Sequence, residues 1–241
     1  AQIHESVAPL KVIGPVMLEM ARAAQVPVCV HLDHGEDIDY LLSAMEMGFT
    51  SVMFDGSALP YDENVAGTRA VVQAAANYNV SVEAELGRVL RPEGGGEPSE
   101  EEADLTPEDC YTKPGEALAF VEATGIDALA IAFGTAHGVY EAEPKLDFNR
   151  IAEIRRAVNM PLVMHGGSGV GDVDFREAIK NGVTKVNYFT YMSLAGGDAV
   201  KAFLKENAAR AEIRYDELAE AARIAMQAHV EHAIGIFTKQ A

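Results

Sequence analysis

The chain has 241 residues with 49% hydrophobic content, enough for one large domain and too apolar for an intrinsically disordered chain. Nineteen Lys and Arg face 37 Asp and Glu, a formal net charge of −18. That balance speaks against nucleic acid or an anionic membrane as partner, since phosphate surfaces are bound through a surplus of Lys and Arg.

Short apolar runs alternate with amphipathic stretches along nearly the whole length. Strands are predicted over 3–6, 27–32, 51–54, 81–86, 128–132, 161–165 and 183–187. Helices are predicted between them over 14–24, 36–47, 62–77, 114–124, 148–158, 172–181 and 192–206. Gly48, Asn79, Gly125 and Gly182 sit where left-handed residues end helices at little steric cost. Alternation of this kind predicts a parallel sheet with helical crossovers.

No G-x-G-x-x-G follows the first strand, which weakens a dinucleotide-binding reading. Polar residues instead end at least four strands: Asp33 with His34, Asp55, Glu85, His165 and Asn187. An open sheet collects its ligand at one switch point, whereas a (β/α)8 barrel turns every strand end toward one mouth. The distribution favours an α/β chain folded as a (β/α)8 TIM barrel, one domain over 1–241. Seven strands are found where eight are needed. We therefore expect the first strand and its helix to be absent from the N-terminus of this sequence, the alternative being a seven-stranded or open sheet with an edge to cover.

Two segments break the rhythm. The loop 87–113 carries Gly94-Gly95-Gly96 and then Glu100-Glu101-Glu102, and reads either as an acidic lid over the mouth or as a solvated insertion. The tail over 215–237 reads as one long helix, packed on the barrel or on another subunit. Cys29 and Cys110 are the only cysteines; Cys29 falls in a core strand and is expected to be a buried free thiol. With no membrane-length apolar run and no signal-peptide pattern, a cytoplasmic protein is expected.

His34, His137 and His165 each fall at or just after a different strand end, and each is followed by glycine. Three neutral imidazoles with an open fourth position make a catalytic zinc set. Three satisfied core histidines are the alternative, and their common place at the functional face favours the metal. His31 lies earlier in its strand, and His229 with His232 read as helix-surface residues. Gly166-Gly167-Ser168-Gly169 and Asn187-Tyr188-Phe189-Thr190 follow the last two strands, where such barrels commonly build a phosphate site.

Five stretches in order carry a resemblance: His31-Leu32-Asp33-His34-Gly35, Val82-Glu83-Ala84-Glu85-Leu86-Gly87, Gly134-Thr135-Ala136-His137-Gly138-Val139-Tyr140, His165-Gly166-Gly167-Ser168 and Lys185-Val186-Asn187. Together they resemble the class II, metal-dependent ketose-bisphosphate aldolases, which include fructose- and tagatose-bisphosphate aldolases. The resemblance implies a zinc-dependent (β/α)8 barrel that cleaves a ketose 1,6-bisphosphate to dihydroxyacetone phosphate and glyceraldehyde 3-phosphate. It implies zinc ligation by His34, His137 and His165, with Asp33 as general acid/base at the C4 hydroxyl and zinc stabilising the enediolate. Gly138, Gly166, Ser168, Asn187 and Thr190 would hold the dihydroxyacetone-phosphate end, with Asn187 also near the enediolate. A sodium or potassium ion beside that phosphate, a small phosphorylated sugar as substrate, and a homodimer or homotetramer are further implications.

Asp55 and Glu85 match positions that orient ligands or the mouth, and Ser6 matches a serine near the start. The loop glutamate that moves the substrate's C1 proton has two candidates, Glu93 and Glu97. Phe189 and Tyr191 depart from the family, which usually carries a small or acidic residue and an acid there. No strand end offers an obvious Schiff-base lysine; Lys185, inside a strand, is the one close candidate. A metal-dependent hydrolase on the same barrel and a non-catalytic sugar-phosphate-binding relative are the alternatives. The lack of a bridging carboxylate for a second metal argues against the first, and retention of the three histidines with Asp33 argues against the second.

Overall fold

A computed structural model describes residues 5–89, 107–138 and 144–238. Six strands run β1 (His31–Gly35), β2 (Ser51–Phe54), β3 (Ser81–Leu86), β4 (Ala128–Ile131), β5 (Leu162–Met164) and β6 (Val183–Val186). All neighbours pair in parallel, in the order β1-β2-β3-β4-β5-β6. Between and around them lie α1 (Leu10–Ala23), α2 (Ile38–Met47), α3 (Tyr61–Ala75), α4 (Pro107–Cys110), α5 (Pro114–Thr124), α6 (Phe148–Val158), α7 (Asp172–Asn181), α8 (Thr190–Glu206) and α9 (Tyr215–Phe237).

Local chemistry sets several of these boundaries. Asp37 and Asp147 cap α2 and α6 by accepting from Asp39 N–H and Arg150 N–H, and Pro114 opens α5. Gly48, Gly125 and Asn159 end α2, α5 and α6 in the left-handed conformation. Helix α1 begins at Leu10, ahead of the expected 14, and carries Pro15 inside it.

The sheet is strongly curled. Six flat strands at ~4.8 Å spacing would set β1 and β6 ~24 Å apart. Instead Asn187 Nδ2, just after β6, donates to Asp33 Oδ1 on β1 at 2.9 Å, and Lys185 Nζ lies 3.4 Å from His31 Nε2. Six consecutive parallel strands curled until their outer members touch form an arc of a (β/α)8 barrel. Among the described residues β1 and β6 share no ladder, so two of the eight strands of a complete barrel are not represented there. The expected strand over 3–6 lies partly outside the described residues, and Glu5 and Ser6 belong to a turn. Glu5 Oε2 instead accepts from Leu10 N–H at 2.9 Å and Tyr40 O–H at 2.7 Å.

Strand alternation divides the core. Val52, Phe54, Val82, Ala84, Leu129, Ile131, Leu162 and Met164 join the apolar cluster between sheet and helices. Their neighbours Asp55, Glu83, Glu85, His165, Lys185 and Asn187 fall on the opposite, interior parity. Helix α1 buries Leu10, Gly14 and Leu18, while Val12, Val16 and Met20 on another face are exposed. Cys29 is exposed, not buried as expected, since β1 starts only at His31 and Cys29 lies before it. No described helix is long and apolar enough to cross a membrane.

Candidate active site

Asp33 and His34 are consecutive, and plain alternation would send them to opposite faces of β1. The register resolves the conflict. His31 pairs with Ser51 and Leu32 with Val52, but Gly35 pairs with Phe54, so β1 carries one extra residue. His34 takes φ +49°, a left-handed conformation unusual for a non-glycine residue. That bulge turns its imidazole inward beside Asp33, with Nε2 3.9 Å from Asp33 Oδ2. Gly35 closes the bulge where a Cβ would lie 2.4 Å from Leu41 Cδ2.

His165 extends the β5 parity and is fully buried. His137 comes from the β4–α6 connection. Gly166, at φ +64°, lets that connection approach so closely that a Cβ there would lie 2.5 Å from Ala136 O. The three rings meet edge-on, with centroids 4.5 Å apart for His34–His165, 5.2 Å for His34–His137 and 5.9 Å for His137–His165. One nitrogen from each lies within 4.8 Å of the others, making them one of three groups among the described residues able to hold a metal ion.

Two of the three rings, those of His34 and His165, are steered by carboxylates. His34 Nδ1–H donates to Asp55 Oδ2 at 2.7 Å, leaving Nε2 toward the centre. Asp55 is itself fixed by Ser57, whose N–H and O–H both donate to Oδ1. His165 Nε2–H donates to Glu83 Oε1 at 2.9 Å, which leaves Nδ1 facing His34 Nε2 at 2.8 Å. Ligand rings held by carboxylates through their far nitrogens are the usual support of a metal site. A tetrahedral ion with 2.0–2.1 Å bonds would set two ring nitrogens ~3.3 Å apart, so the donor set fits zinc after a small opening. Glu85 is fully buried and its Oε2 has no hydrogen-bond partner among the described residues, as expected of a group beside a cation centre; it lies 3.6 Å from His165 Nδ1.

The electrostatics match this arrangement. Burial opposes charge on His34, but the Asp55 hydrogen bond and the charges of Asp33 and Glu85 outweigh it and push the imidazole up to about 9. Burial also opposes charge on Asp55, and the His34 hydrogen bond prevails, lowering it to about 2. Burial, then the charges of His34 and His165, bring His137 down to about 4. Burial raises Glu85 to about 7. Asp33 would likewise be raised by burial, yet His31 beside it, then His165, His34 and Lys185, hold it well below the usual carboxylate range. Its side chain remains 37% exposed and open to a ligand.

The late turns also meet. Phe189 N–H donates to Ser168 Oγ at 3.2 Å, and a Cβ on Gly167 would lie 3.0 Å from Asn187 O. Thr190 opens α8, whose first N–H groups are a ready anion site. Gly138 takes φ +86°, and a Cβ there would meet no atom of the described residues within 4 Å. Glu93 and Glu97 lie outside the described residues.

Three side chains in the mouth were not singled out as a set by sequence reasoning: Glu83, Lys185 and His31. His31 is no bystander, since its Nε2 lies 3.6 Å from Asp33 Oδ1 and 3.7 Å from Glu83 Oε2. The available signal was Glu83 and Glu85 two apart in an otherwise apolar strand, which puts both on one face. Carboxylates do therefore flank the histidines: His34, Asp55 and Glu85 form a further group that could hold an ion, sharing only His34 with the three-histidine group. His229 is half-buried, not a surface residue: it stacks on Tyr188, whose hydroxyl lies 3.0 Å from its Nδ1, and so ties α9 to the segment after β6.

Comparison with known proteins points one way. The family model described as "Fructose-bisphosphate aldolase class-II" matches residues 1–241. A sulfofructosephosphate aldolase from Alkalicoccus urumqiensis is 42% identical over 205 residues, covering 82% of this chain and 69% of that protein. The crystal structure of the YdjI aldolase from Escherichia coli K12 superimposes with a TM-score of 0.80 at 33% identity, covering 98% of this chain and 78% of the other. That of a fructose-bisphosphate aldolase from Campylobacter jejuni gives 0.74 at 25% identity, covering 93% and 75%.

Proposed function

The chain belongs to the class II fructose-bisphosphate aldolase family, and on that premise we propose a zinc-dependent aldehyde-lyase acting on a ketose 1,6-bisphosphate of the fructose or tagatose type. The products are dihydroxyacetone phosphate and glyceraldehyde 3-phosphate. The observation that carries this reading is the meeting of His34, His137 and His165 with the open carboxylate of Asp33 beside them.

His34, His137 and His165 would hold the ion. Bound there, zinc supplies the Lewis acidity that stabilises negative charge as the C3–C4 bond breaks. Asp33 is ionised at neutral pH, the form that accepts the C4 hydroxyl proton, and returns that proton in the condensation direction. Asn187 Nδ2–H holds Asp33 Oδ1, leaving Oδ2 for the substrate. The Gly166–Ser168 turn, Gly138, Asn187 and Thr190 line the place for the phosphorylated three-carbon end, with backbone N–H groups and the α8 N-terminus suited to phosphate. A sodium or potassium ion beside that phosphate belongs to the same reading, as do Glu93 and Glu97 as candidates for moving the C1 proton.

A second reading has its own support. The 42% identical relative is named for a phosphorylated sulfofructose, which would place a sulfonate where the bisphosphates carry their second phosphate. The deciding experiment offers the zinc-loaded protein fructose 1,6-bisphosphate, tagatose 1,6-bisphosphate and phosphorylated sulfofructose, coupling dihydroxyacetone phosphate to a dehydrogenase. Cleavage of a bisphosphate supports the first reading and cleavage of the sulfosugar alone supports the second. Absence of triose phosphate from all three, with metal bound, refutes both.

A further inference from the structure

The mouth contains a second candidate cation group, His31, Asp33 and Glu83, and it already holds a positive charge of the chain's own. Lys185 reaches inward from β6 and places Nζ 2.7 Å from Glu83 Oε2 and 3.4 Å from His31 Nε2. The other oxygen of the same carboxylate, Glu83 Oε1, accepts from His165 Nε2–H. One carboxylate thus joins an ammonium to a metal-binding imidazole, across elements 102 and 82 residues apart in sequence.

We propose that Lys185 is a positioning residue for the metal centre, clamping Glu83 so that the His165 ring is held with Nδ1 toward His34 and His137. The Glu83 side chain is 3% exposed, so solvent cannot take over the role of its partner. Its carboxylate turns easily about its last torsion. Without Lys185 the oxygen Oε2 is left, among the described residues, with His31 3.7 Å away, and the carboxylate can swing toward that ring and release His165. A charge-assisted bond of 2.7 Å supplies the direction that a neutral neighbour would not. Lys185 therefore acts through Glu83 and His165, and forms no covalent bond to substrate. The inference rests on the three-histidine metal reading above and is independent of which sugar is cleaved.

The test measures zinc affinity by competition with a chromophoric chelator in the full chain and in Lys185→Met, Lys185→Arg, Glu83→Gln and the Lys185→Met/Glu83→Gln double variant. Lys185→Met is expected to weaken zinc binding about 10- to 100-fold, the usual cost of losing a partner behind a metal ligand. Lys185→Arg, which keeps charge and donors, is expected to restore most of that loss. Because Lys185 works through Glu83, the double variant is expected to lose no more than Glu83→Gln alone. In the cobalt-loaded proteins, Lys185→Met and Glu83→Gln should shift the visible bands alike. Should the methionine variant fail to fold, Lys185→Gln carries the same expectation. Unchanged affinity in the variants of a zinc-binding parent, or a double variant that loses the product of the two single losses, overturns the proposal. A parent that binds no zinc instead overturns the metal reading beneath it.

Discussion

Asp55→Asn separates two effects of one carboxylate. Asp55 Oδ2 takes the His34 Nδ1 proton at 2.7 Å while Oδ1 holds Ser57. An asparagine keeps the shape and a carbonyl for the Ser57 donors, but turns an N–H2 group toward a ring nitrogen that also carries hydrogen. With the charge gone, His34 should fall from about 9 toward its ordinary 6.5. Zinc needs the neutral ring, so at pH 7.5 proton competition costs the parent roughly 30-fold in apparent affinity and the variant almost nothing. Against that gain stands a loss of about 10- to 100-fold for removing the partner behind a ligand. The two nearly cancel at pH 7.5, to within ~3-fold either way, whereas at pH 9.5 the whole loss shows. Chelator-buffered zinc titrations should give a rise in affinity of about tenfold from pH 7 to 8 and about fivefold from pH 8 to 9 for the parent, and a nearly flat profile for Asp55→Asn. A flat profile in the parent, or an undiminished slope in the variant, would refute the role given to the His34–Asp55 pair.

Other outcomes follow from the same geometry. Asp33→Ala should lower cleavage by about 10²- to 10⁴-fold while the protein retains its metal, checked by turnover and metal content; normal turnover would remove Asp33 from proton transfer. Gly166→Ala forces φ +64° on a residue whose Cβ would meet Ala136 O, so it should cost about 1–3 kcal/mol in denaturant unfolding and weaken zinc binding by displacing His137. The metal-free protein should lose stability as pH rises. His34, folded near 9 against 6.5 unfolded, binds its extra proton in the folded state, so its contribution is full below pH 6.5 and gone above 9. Glu85, raised to about 7, acts in the same direction from pH 4.5, but His137, lowered to about 4, acts oppositely up to pH 6.5. The two offset each other below pH 6.5, leaving a decline of up to about 4 kcal/mol between pH 6.5 and 9. Melting temperatures of the chelated protein that stay level or climb over that interval would contradict these assignments.

Much of this chain is determined locally and could be read without a structure. The bounds of β2, β3, α5, α6, α7 and α9 agree with expectation to the residue, because apolar periodicity, Pro114 and the left-handed Gly125 and Asn159 are local signals. The three His-Gly pairs were legible too, each placed at or after a strand end, where a parallel barrel opens its mouth. What joins those ends was not legible. His34 meets His165 across 131 positions and Asp33 meets Asn187 across 154, distances over which spacing carries no information about side-chain direction. Alternation alone would have turned His34 outward; only the bulge in β1, set by pairing with β2, brings it in beside Asp33. Likewise Lys185 reads in sequence as a lone strand lysine, and becomes a partner of Glu83 only when the sheet curls far enough to bring β6 over β3. The sequence by itself determined which residue types reach the mouth, since that depends on period and local turns. Only the tertiary structure shows which of them meet and through which atoms, because those contacts are made by curling the sheet.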